Sequence, residues 1–263
     1  MAALARPLLD LVLPPLCPVT GEETGGHGAL SPKAWADLGL LLDGPRCHWC
    51  NRALAGAASG PRLACEACHV AERPWTEGAA AFLYEGSGRT LVLALKRGDR
   101  LDLAPLLAAW MARARPGLAE AADLIVPVPL HWRRLLSRRY NQSAELARAL
   151  ARHTGNRSAL APRLLRRIRA TPSQDGLGPA ERQANLAGAI ALPKGAEQRL
   201  AGRRVLLIDD VLTTGATLTA CTHALLDGGA ARVDVAVAAL VERPAKPYLP
   251  GSKDTPTTEE PRA

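Results

Sequence analysis

Val205-Leu206-Leu207-Ile208-Asp209-Asp210-Val211-Leu212-Thr213-Thr214-Gly215-Ala216-Thr217 is the most informative run of this sequence. Its apolar start, Val205–Ile208, predicts a buried strand with two acidic residues at its carboxyl end. A small, hydroxyl-rich turn then opens a helix over Thr217–Asp227, which two glycines end before a strand at Val233–Leu240. The run therefore predicts a right-handed βαβ unit.

The alternation of strand and helix continues on the amino-terminal side of this unit. Strand-like apolar runs at Ala79–Tyr84 and Leu124–Val128 alternate with helical stretches at Leu101–Arg115 and Gln142–His153. Such alternation predicts a parallel sheet, and ligands bind at the carboxyl ends of the strands in sheets of this kind. The expected fold class is therefore α/β, with a parallel sheet flanked by helices.

The turn after the acidic pair, Asp209 and Asp210, has the chemistry of a phosphate site. Backbone N–H groups at a helix start attract an anion, the hydroxyls of the three threonines lie beside them, and Gly215 lets the backbone come close. Carboxylates suit the hydroxyls of a ribose or a divalent cation. We expect phosphate and sugar to be bound side by side; the alternative is a generic strand-turn-helix with acidic residues on its surface.

Composition and charge limit the class of protein. With 48% hydrophobic and 22% charged residues and no apolar run of membrane-spanning length, a multi-span membrane protein is excluded. The first sixteen residues predict a short amphipathic helix and no signal peptide. The formal charge is +8, and 28 of the 33 basic residues are Arg (33 minus 5 Lys), which favours phosphorylated ligands or nucleic acid. The alternative is coding bias that leaves solvated surface charges.

Four of the six cysteines form two CxxC pairs separated by fourteen residues. This spacing predicts a zinc ribbon whose thiolates close a tetrahedral shell around a structural Zn²⁺. Free thiols in a small core or a redox pair are the alternatives. Cys221 fits a helical core stripe, and Cys17 is left over. The predicted metal ligands are Cys47, Cys50, Cys65 and Cys68.

The run from Val205 resembles the phosphoribosyl pyrophosphate motif of type I phosphoribosyltransferases. Further segments resemble the ComF family, associated with competence and DNA uptake, in their order and similar spacing. The resemblance covers Leu8 to about Arg243 and implies a type I phosphoribosyltransferase-like sheet with a small N-terminal zinc-ribbon module. Those further segments are Ile125–His131, Arg138–Gln142, Thr171–Gln174 with Arg182 and Asn185, and Lys96.

The resemblance also implies roles for individual residues. Asp209 and Asp210 become the catalytic pair that meets the ribose hydroxyls, while the turn holds the 5′-phosphate. The loop after Val128 becomes the pyrophosphate loop, and Arg166–Arg169 belongs to a mobile loop over the substrate. Ala216 departs from the motif, where many members have a second glycine. The implied substrate-binding residues are Val211, Leu212, Thr213, Thr214, Gly215, Ala216, Thr217, Lys96, Arg138 and Arg139.

The amino-terminal part departs further from the family. Relatives often carry two CxxC-based knots, but Cys17-Pro18-Val19-Thr20 has lost its second cysteine, and Ser31 and Ala34 stand where another pair is expected. One zinc ion is predicted. We expect an N-terminal helix and zinc module over residues 1–75, a phosphoribosyltransferase-like domain over 76–245, and a disordered tail over 246–263, whose composition is rich in Pro, Thr, Glu, Lys and Ser.

Three functions fit these features. The first is a cytoplasmic enzyme that binds phosphoribosyl pyrophosphate with Mg²⁺ and transfers the phosphoribosyl group to an unknown acceptor. The second is handling of single-stranded DNA with the DNA-uptake machinery, without turnover. The third is a zinc-stapled interaction protein that only senses the ligand. The residues expected to hold DNA are Arg133, Arg134, Arg138 and Arg139, interleaved with Trp132 and Tyr140.

Overall fold

A computed structural model of the protein describes residues 14–55, 60, 62–70, 73–97, 100–132, 135–136, 139–169 and 188–242. The expected N-terminal helix and C-terminal tail lie outside these ranges. The described strands are Gly78–Leu83 (β1), Leu124–Pro127 (β2), Arg166–Arg167 (β3), Ile190–Ala191 (β4), Arg204–Leu212 (β5) and Arg232–Leu240 (β6). The described α-helices are Pro32–Ala36 (α1), Glu66–Val70 (α2), Gly86–Arg97 (α3), Ala104–Ala114 (α4), Gln142–His153 (α5), Ala196–Leu200 (α6) and Ala216–Asp227 (α7), with 3₁₀ turns at Leu101–Leu103 and Arg157–Ala159.

The main sheet has four strands in the order β1-β6-β5-β2, and every neighbouring pair is parallel. Helices cover both faces of this sheet, which confirms the α/β fold class. The short strands β3 and β4 form a separate antiparallel pair. None of the helices in the described ranges is long and apolar enough to cross a membrane.

Strand β5 is longer than its apolar run predicts. We expected it to end at Ile208, but it continues through the acidic pair to Leu212. The reason lies in its neighbour, because β6 also has nine residues and extends the ladder to the pairs Val211–Ala239 and Leu212–Leu240. Asp209 and Asp210 therefore belong to the last residues of a regular strand, whose backbone is hydrogen-bonded to β6.

Side chains alternate between two apolar layers along β5. Leu206 and Ile208 face α3, α4 and α5, whereas Val205 and Leu207 face α6 and α7. Both layers are fully buried at these positions, as expected for a parallel sheet with helices on both sides. Helix α5, Gln142–His153, has the bounds that its sequence pattern predicts.

The segment with the four paired cysteines packs directly on the α6/α7 face of the sheet. Its four buried sulfurs belong to the same apolar cluster as Val205 and Leu207. Backbone hydrogen bonds tie it to strand β1: Gly78 N–H donates to the carbonyl of His48 at 2.9 Å, and Leu41 N–H donates to the carbonyl of Ala81 at 2.8 Å. The division of the chain at residue 75 stays a prediction, but this module shares its core with the sheet.

A row of ion pairs runs across the amino ends of the strands. It begins at the module, where Arg115 Nη2 donates to the carbonyl of Cys47 at 3.4 Å, and ends at β5. Asp234 is almost completely buried between two arginines, so its charge is compensated on both sides. The pairs are Arg115–Glu77 at 3.2 Å, Glu77–Arg232 at 2.9 Å, Arg232–Asp234 at 2.8 Å and Asp234–Arg204 at 2.8 Å.

Candidate functional site

The first carboxylate of the acidic pair is held by two hydrogen bonds. Asp209 Oδ1 accepts from Ser143 Oγ at 2.9 Å and from the backbone N–H of Asp210 at 2.9 Å. Ser143 lies in the first turn of α5, whose Asn141 cap accepts from the Ser143 N–H at 3.0 Å. The first turn of α5, which packs on β5, thus fixes the orientation of the Asp209 carboxylate through Ser143.

The second carboxylate has a different set of partners. Asp210 Oδ2 accepts from Gln142 Nε2 at 2.9 Å and lies 3.0 Å from Lys96 Nζ, which α3 supplies in its last turn. Asp210 is buried, so the ammonium group neutralises a charge that would otherwise be costly in this position. The structure therefore places Lys96, one of the predicted substrate-binding residues, next to the acidic pair.

The two carboxylates lie in a partly desolvated setting. Burial, followed by the neighbouring Asp210 charge, raises the pKa of Asp209 from 3.8 to about 7, although the Ser143 hydrogen bond and Lys96 act in the opposite direction. Strong pKa perturbation by burial and a like charge is typical of functional sites. At neutral pH this carboxyl group can both donate and accept hydrogen bonds.

Residues Thr213–Thr217, here called the phosphate turn, connect β5 to α7. Gly215 caps the helix with a left-handed backbone (φ +84°), and it has no side chain to occupy the free N–H groups. Thr214 Oγ1 accepts from Ala216 N–H at 3.2 Å. Thr213 is exposed, and Thr214, Ala216 and Thr217 are partly buried. The remaining two predicted residues, Val211 and Leu212, belong to β5, and the Leu212 side chain points into the core.

The loop after β2 approaches the same edge of the sheet. Asn141 Nδ2 donates to the carbonyl of Val128 at 2.9 Å, and Tyr140 OH donates to the carbonyl of Leu95, next to Lys96. Arg139 is exposed with a left-handed backbone (φ +65°), a conformation that costs free energy for a non-glycine residue. The other predicted arginines of this loop, Arg133, Arg134 and Arg138, lie outside the described residues.

The arginine-rich stretch Arg166–Arg169 begins as strand β3 and pairs with β4. A backbone bridge between His131 and Arg167 joins this hairpin to the loop after β2. Three apolar side chains near this junction are exposed, and the segment expected to continue the mobile loop, with Thr171–Gln174, Arg182 and Asn185, lies outside the described residues. Those exposed side chains are Trp132 (56%), Leu136 (72%) and Ile168 (63%), and Leu135 beside them is exposed as well (41%).

The four paired cysteines converge on one point. Their sulfur atoms all lie within 4.8 Å of one another, each residue is buried, and Cys50 Sγ is 3.6 Å from Cys65 Sγ. Hydrogen bonds from the other three thiols, Cys50 first, lower the pKa of Cys47. Four converging sulfurs with no other donor in the cluster fit a metal such as zinc, with Cys47, Cys50, Cys65 and Cys68 as the ligands. Cys221, in contrast, is fully buried in helix α7, as its apolar stripe predicts.

The segment around Cys17 has the same backbone hydrogen bonds as the segment around Cys47, thirty residues later. Cys17 N–H donates to Glu22 O as Cys47 N–H donates to Arg52 O, and a residue with positive φ follows in each, Gly21 and Asn51. The parallel continues in the remaining pairs. These are Gly21 N to Cys17 O against Asn51 N to Cys47 O, Thr24 N to Pro15 O against Leu54 N to Pro45 O, and Trp35 N to Ser31 O against His69 N to Cys65 O.

The chain therefore contains two structurally equivalent knuckles, and the first has the residues of the degraded knot that the family resemblance indicates. In the first knuckle, Cys17, Thr20, Ser31 and Ala34 occupy the positions of the four paired cysteines. Thr20 Oγ1 and Ser31 Oγ lie 3.0 Å apart and form a hydrogen bond. Although burial raises it, hydrogen bonds from the Ser31 backbone and the Thr20 side chain lower the pKa of Cys17 to about 6. One of the four ligand positions thus remains suited to metal.

Several residues of the site are absent from the sequence-based prediction. The sequence-based prediction does not include Ser143, and it names Gln142 only as part of a helix and of the family segment Arg138–Gln142, although both are buried polar residues in the first turn of an amphipathic helix. The signal in the sequence is that Ser143 lies at helical spacing in the apolar stripe formed by Leu146, Ala147 and Leu150. Arg73 also reaches the site, since its Nη1 donates to the carbonyl of Thr214 at 2.7 Å. No motif indicates Arg73.

Comparisons with known proteins agree with this geometry. A phosphoribosyl transferase domain model matches residues 142–261. DNA utilization protein YhgH of Salmonella typhimurium is 35% identical over 184 residues, which cover 68% of this chain and 78% of that protein. The protein of the same name from Escherichia coli K12 is 33% identical over the same shares. Competence protein F of Haemophilus influenzae is 34% identical over 113 residues, 43% of this chain and 48% of its own length.

Proposed function

This chain belongs to the ComF family, and we propose on that premise that it binds phosphoribosyl pyrophosphate and transfers its phosphoribosyl group to an acceptor. One observation carries the proposal. The acidic pair is held by Ser143, Gln142 and Lys96 at the carboxyl end of β5, and the phosphate turn follows three residues later. Hydroxyl acceptors and an anion site are thus adjacent, as a ribose 5-phosphate group requires.

Each part of the site has a proposed role. Asp209 and Asp210 accept hydrogen bonds from the ribose hydroxyls, and the phosphate turn with its helix dipole holds the 5′-phosphate. Lys96 keeps the Asp210 charge in place, and Arg138 and Arg139 are proposed to bind the pyrophosphate. Because the substrate is fixed at both ends, rate enhancement comes from positioning and electrostatic stabilisation.

In the proposed reaction, the bond between the anomeric carbon and the pyrophosphate oxygen breaks, and pyrophosphate leaves with the electron pair. A nitrogen of the acceptor forms the new bond to the anomeric carbon and gives up its proton. The oxocarbenium character that develops on the ribose is positive, so the two nearby carboxylates favour it. The acceptor itself stays open.

The carboxylates do not by themselves form a complete Mg²⁺ site. Asp210 Oδ2 already interacts with Lys96 and Gln142, and Mg²⁺ prefers a few carboxylates together with substrate phosphates. We therefore propose that Mg²⁺ enters with the pyrophosphate group, where it would neutralise the charge of the departing oxygens. Zn²⁺ at the four cysteines is proposed as structural, and the reduced thiols fit a cytoplasmic protein.

The proposal is tested by changing the acidic pair. Asp209→Asn with Asp210→Asn keeps the shape of the site but weakens hydrogen bonds to the ribose that are worth roughly 1.5 to 3 kcal/mol each. We expect the affinity for phosphoribosyl pyrophosphate in calorimetric titration to fall by about tenfold or more. Asp227→Asn, at the exposed far end of α7, is the control. Equal affinity of wild type and double variant would contradict the site assignment.

A second candidate function is the handling of single-stranded DNA without turnover. It is favoured by the exposed Trp132, which lies in a loop with an arginine-rich sequence, and by the names of the relatives, which refer to DNA utilization and competence. Exposed aromatic rings stack on bases, and arginines bind the backbone. Release of pyrophosphate with a panel of nitrogen bases would favour the enzyme; tight binding with no release would favour this candidate.

A further inference from the structure

The segment that joins the four-cysteine module to β1 passes under the phosphate turn. Its Arg73 donates through Nη1 to the carbonyl of Thr214 at 2.7 Å. The guanidinium carbon lies 5.3 Å from the centre of the Trp75 ring, so the cation is stacked as well as hydrogen-bonded. The side chain is therefore fixed from two directions.

The same segment is fixed to the knuckle of the metal module. Trp75 is 1% exposed, and its Nε1 donates at 2.9 Å to the carbonyl of Trp49, which lies between the ligands Cys47 and Cys50. A direct chain of contacts thus runs from the metal knuckle through the indole and the guanidinium to the phosphate turn. The ligands and the turn belong to parts of the chain about 150 residues apart, so their relation depends on this chain of contacts.

Gly215 allows the phosphate turn to lie close to Arg73 and Trp75. A Cβ atom at this position would lie 2.6 Å from Arg73 Nη1 and 3.1 Å from Trp75 Cη2. The turn therefore rests on the guanidinium and the indole at van der Waals distance, on the side of the turn where Gly215 has no side chain. Because Nη1 donates to the Thr214 carbonyl, this guanidinium supports the backbone of the turn.

We propose that Arg73 is a positioning residue that holds the phosphate turn in its binding conformation, and that Trp75 makes this conformation depend on the metal-loaded knuckle. The inference rests on the proposed function, since it concerns the affinity of the same turn. Loss of metal would release the Trp49 carbonyl, free the indole and let Arg73 leave Thr214. The module then acts as a support of the ligand site as well as of the fold.

The variant Arg73→Met keeps the length of the side chain but removes its charge and donors. We expect the affinity for ribose 5-phosphate in calorimetric titration to fall by about tenfold, while the affinity for inorganic pyrophosphate stays unchanged. Arg73→Lys, which keeps a donor for Thr214, should recover part of the affinity. Arg52→Met is the matched control, because Arg52 lies in the same module but pairs with Glu242 at 2.9 Å.

Metal removal, combined with Arg73→Met, tests whether the metal and Arg73 act through the same contacts. Chelation of zinc from wild type should lower ribose 5-phosphate affinity by the same factor as Arg73→Met, and chelation of the variant should add no further loss. Additive losses, or unchanged binding by chelated wild type that remains folded, would overturn the coupling. If Arg73→Met bound ribose 5-phosphate as wild type does, Arg73 would have no positioning role.

A measurement without ligand separates this inference from the proposed function. In metal-loaded Arg73→Met, amide hydrogen exchange should accelerate at residues 213–219 and remain unchanged in the other strands and helices, whereas Arg52→Met should match wild type. Unchanged exchange in the turn would refute the support by Arg73 even if chelation unfolds the protein. If Arg73→Met shows this accelerated exchange but wild type binds no ribose 5-phosphate, the proposed function alone would be refuted.

Discussion

Adjacent residues of one strand can have opposite electrostatic settings. Asp209 and Asp210 both accept a hydrogen bond from the first turn of α5, but among the described residues only Asp210 has a cationic partner at hydrogen-bond distance. Asp209 has a serine hydroxyl and a backbone N–H instead. The pair therefore presents two carboxyl groups with different hydrogen-bond partners, which an Asp-Asp motif in the sequence does not distinguish.

The raised pKa of Asp209 predicts a pH dependence of stability. Its pKa is about 7 in the folded protein and about 3.8 when unfolded, so the folded state binds more protons between these values. The stability that it contributes is therefore complete below pH 3.8 and is lost as the pH rises through 7. The loss is at most about 4 kcal/mol, at roughly 1.4 kcal/mol for each pKa unit.

Asp209→Asn removes this titration but keeps an acceptor for Ser143. We expect the variant to gain free energy of unfolding relative to wild type as the pH rises from 5 to 8, measured by urea denaturation with zinc present. The Asp227→Asn control should follow wild type at every pH. A difference between variant and wild type that stays constant from pH 5 to 8 would contradict the assigned pKa.

At the scale of elements, the two knuckles separate the metal ligands from the backbone that carries them. The knuckle around Cys17 keeps the hydrogen bonds of the knuckle around Cys47 with three of four thiols replaced. A hydrogen bond between Thr20 and Ser31 fills part of the space that a metal would take. The backbone geometry therefore does not require the ion at this position.

We predict that wild type binds one equivalent of zinc and that Thr20→Cys, Ser31→Cys and Ala34→Cys together bring it to two, measured by elemental analysis. The preserved backbone already directs these side chains towards Cys17, so the new thiols should meet with little rearrangement. Cys65→Ser should remove the single zinc of wild type. A triple variant that still holds one equivalent, or wild type that holds two, would show that the correspondence of the knuckles is wrong.

The sequence predicts elements better than the contacts between them. The bounds of α5 and the position of Lys96 follow from local pattern and motif, whereas the end of β5 depends on the length of β6. Ser143 and Asp209 are 66 residues apart in the chain, and nothing near either residue indicates their hydrogen bond. The residues of the first knuckle follow from the family resemblance, whereas the backbone hydrogen bonds that it shares with the second knuckle are visible only in the structure.

At the scale of the molecule, the sheet and the cysteine-rich module, which differ in composition, form one connected structure. The row of ion pairs from Arg115 to Arg204 joins the metal module, α4, β6 and β5, and its central carboxylate at Asp234 is buried. The phosphate turn lies at the opposite, carboxyl ends of the strands. The basic surface therefore divides into arginines that are paired within the fold and arginines near the ligand edge, and net charge alone does not separate the two groups.

The second group gives the prediction for nucleic acid. If the β2 loop binds single-stranded DNA, changing Arg133, Arg138 and Arg139 to Gln should weaken binding and flatten the salt dependence by up to about 0.7 for each lost phosphate contact. Fluorescence anisotropy of a labelled oligonucleotide at several salt concentrations measures both quantities.

A control with the same change in net charge uses arginines on the exposed surface after α5 and near its end: Arg152, Arg157 and Arg163 changed to Gln. It should lower affinity far less, because it alters the long-range field but no proposed contact. If both triple variants had the same affinity and slope, binding would reflect overall charge, and the β2 loop would lose its part in the second candidate function.

The contact between Arg73 and Gly215 has a consequence for how this family can vary. A Cβ at position 215 would lie 2.6 Å from Arg73 Nη1, so a side chain there would displace the guanidinium from its contact with the turn. Relatives that carry alanine or serine at the position of Gly215 should therefore carry a shorter residue at the position of Arg73, so that the two positions change together in evolution. Such paired replacement would show that positions in the metal module and in the phosphate turn are under a shared evolutionary constraint.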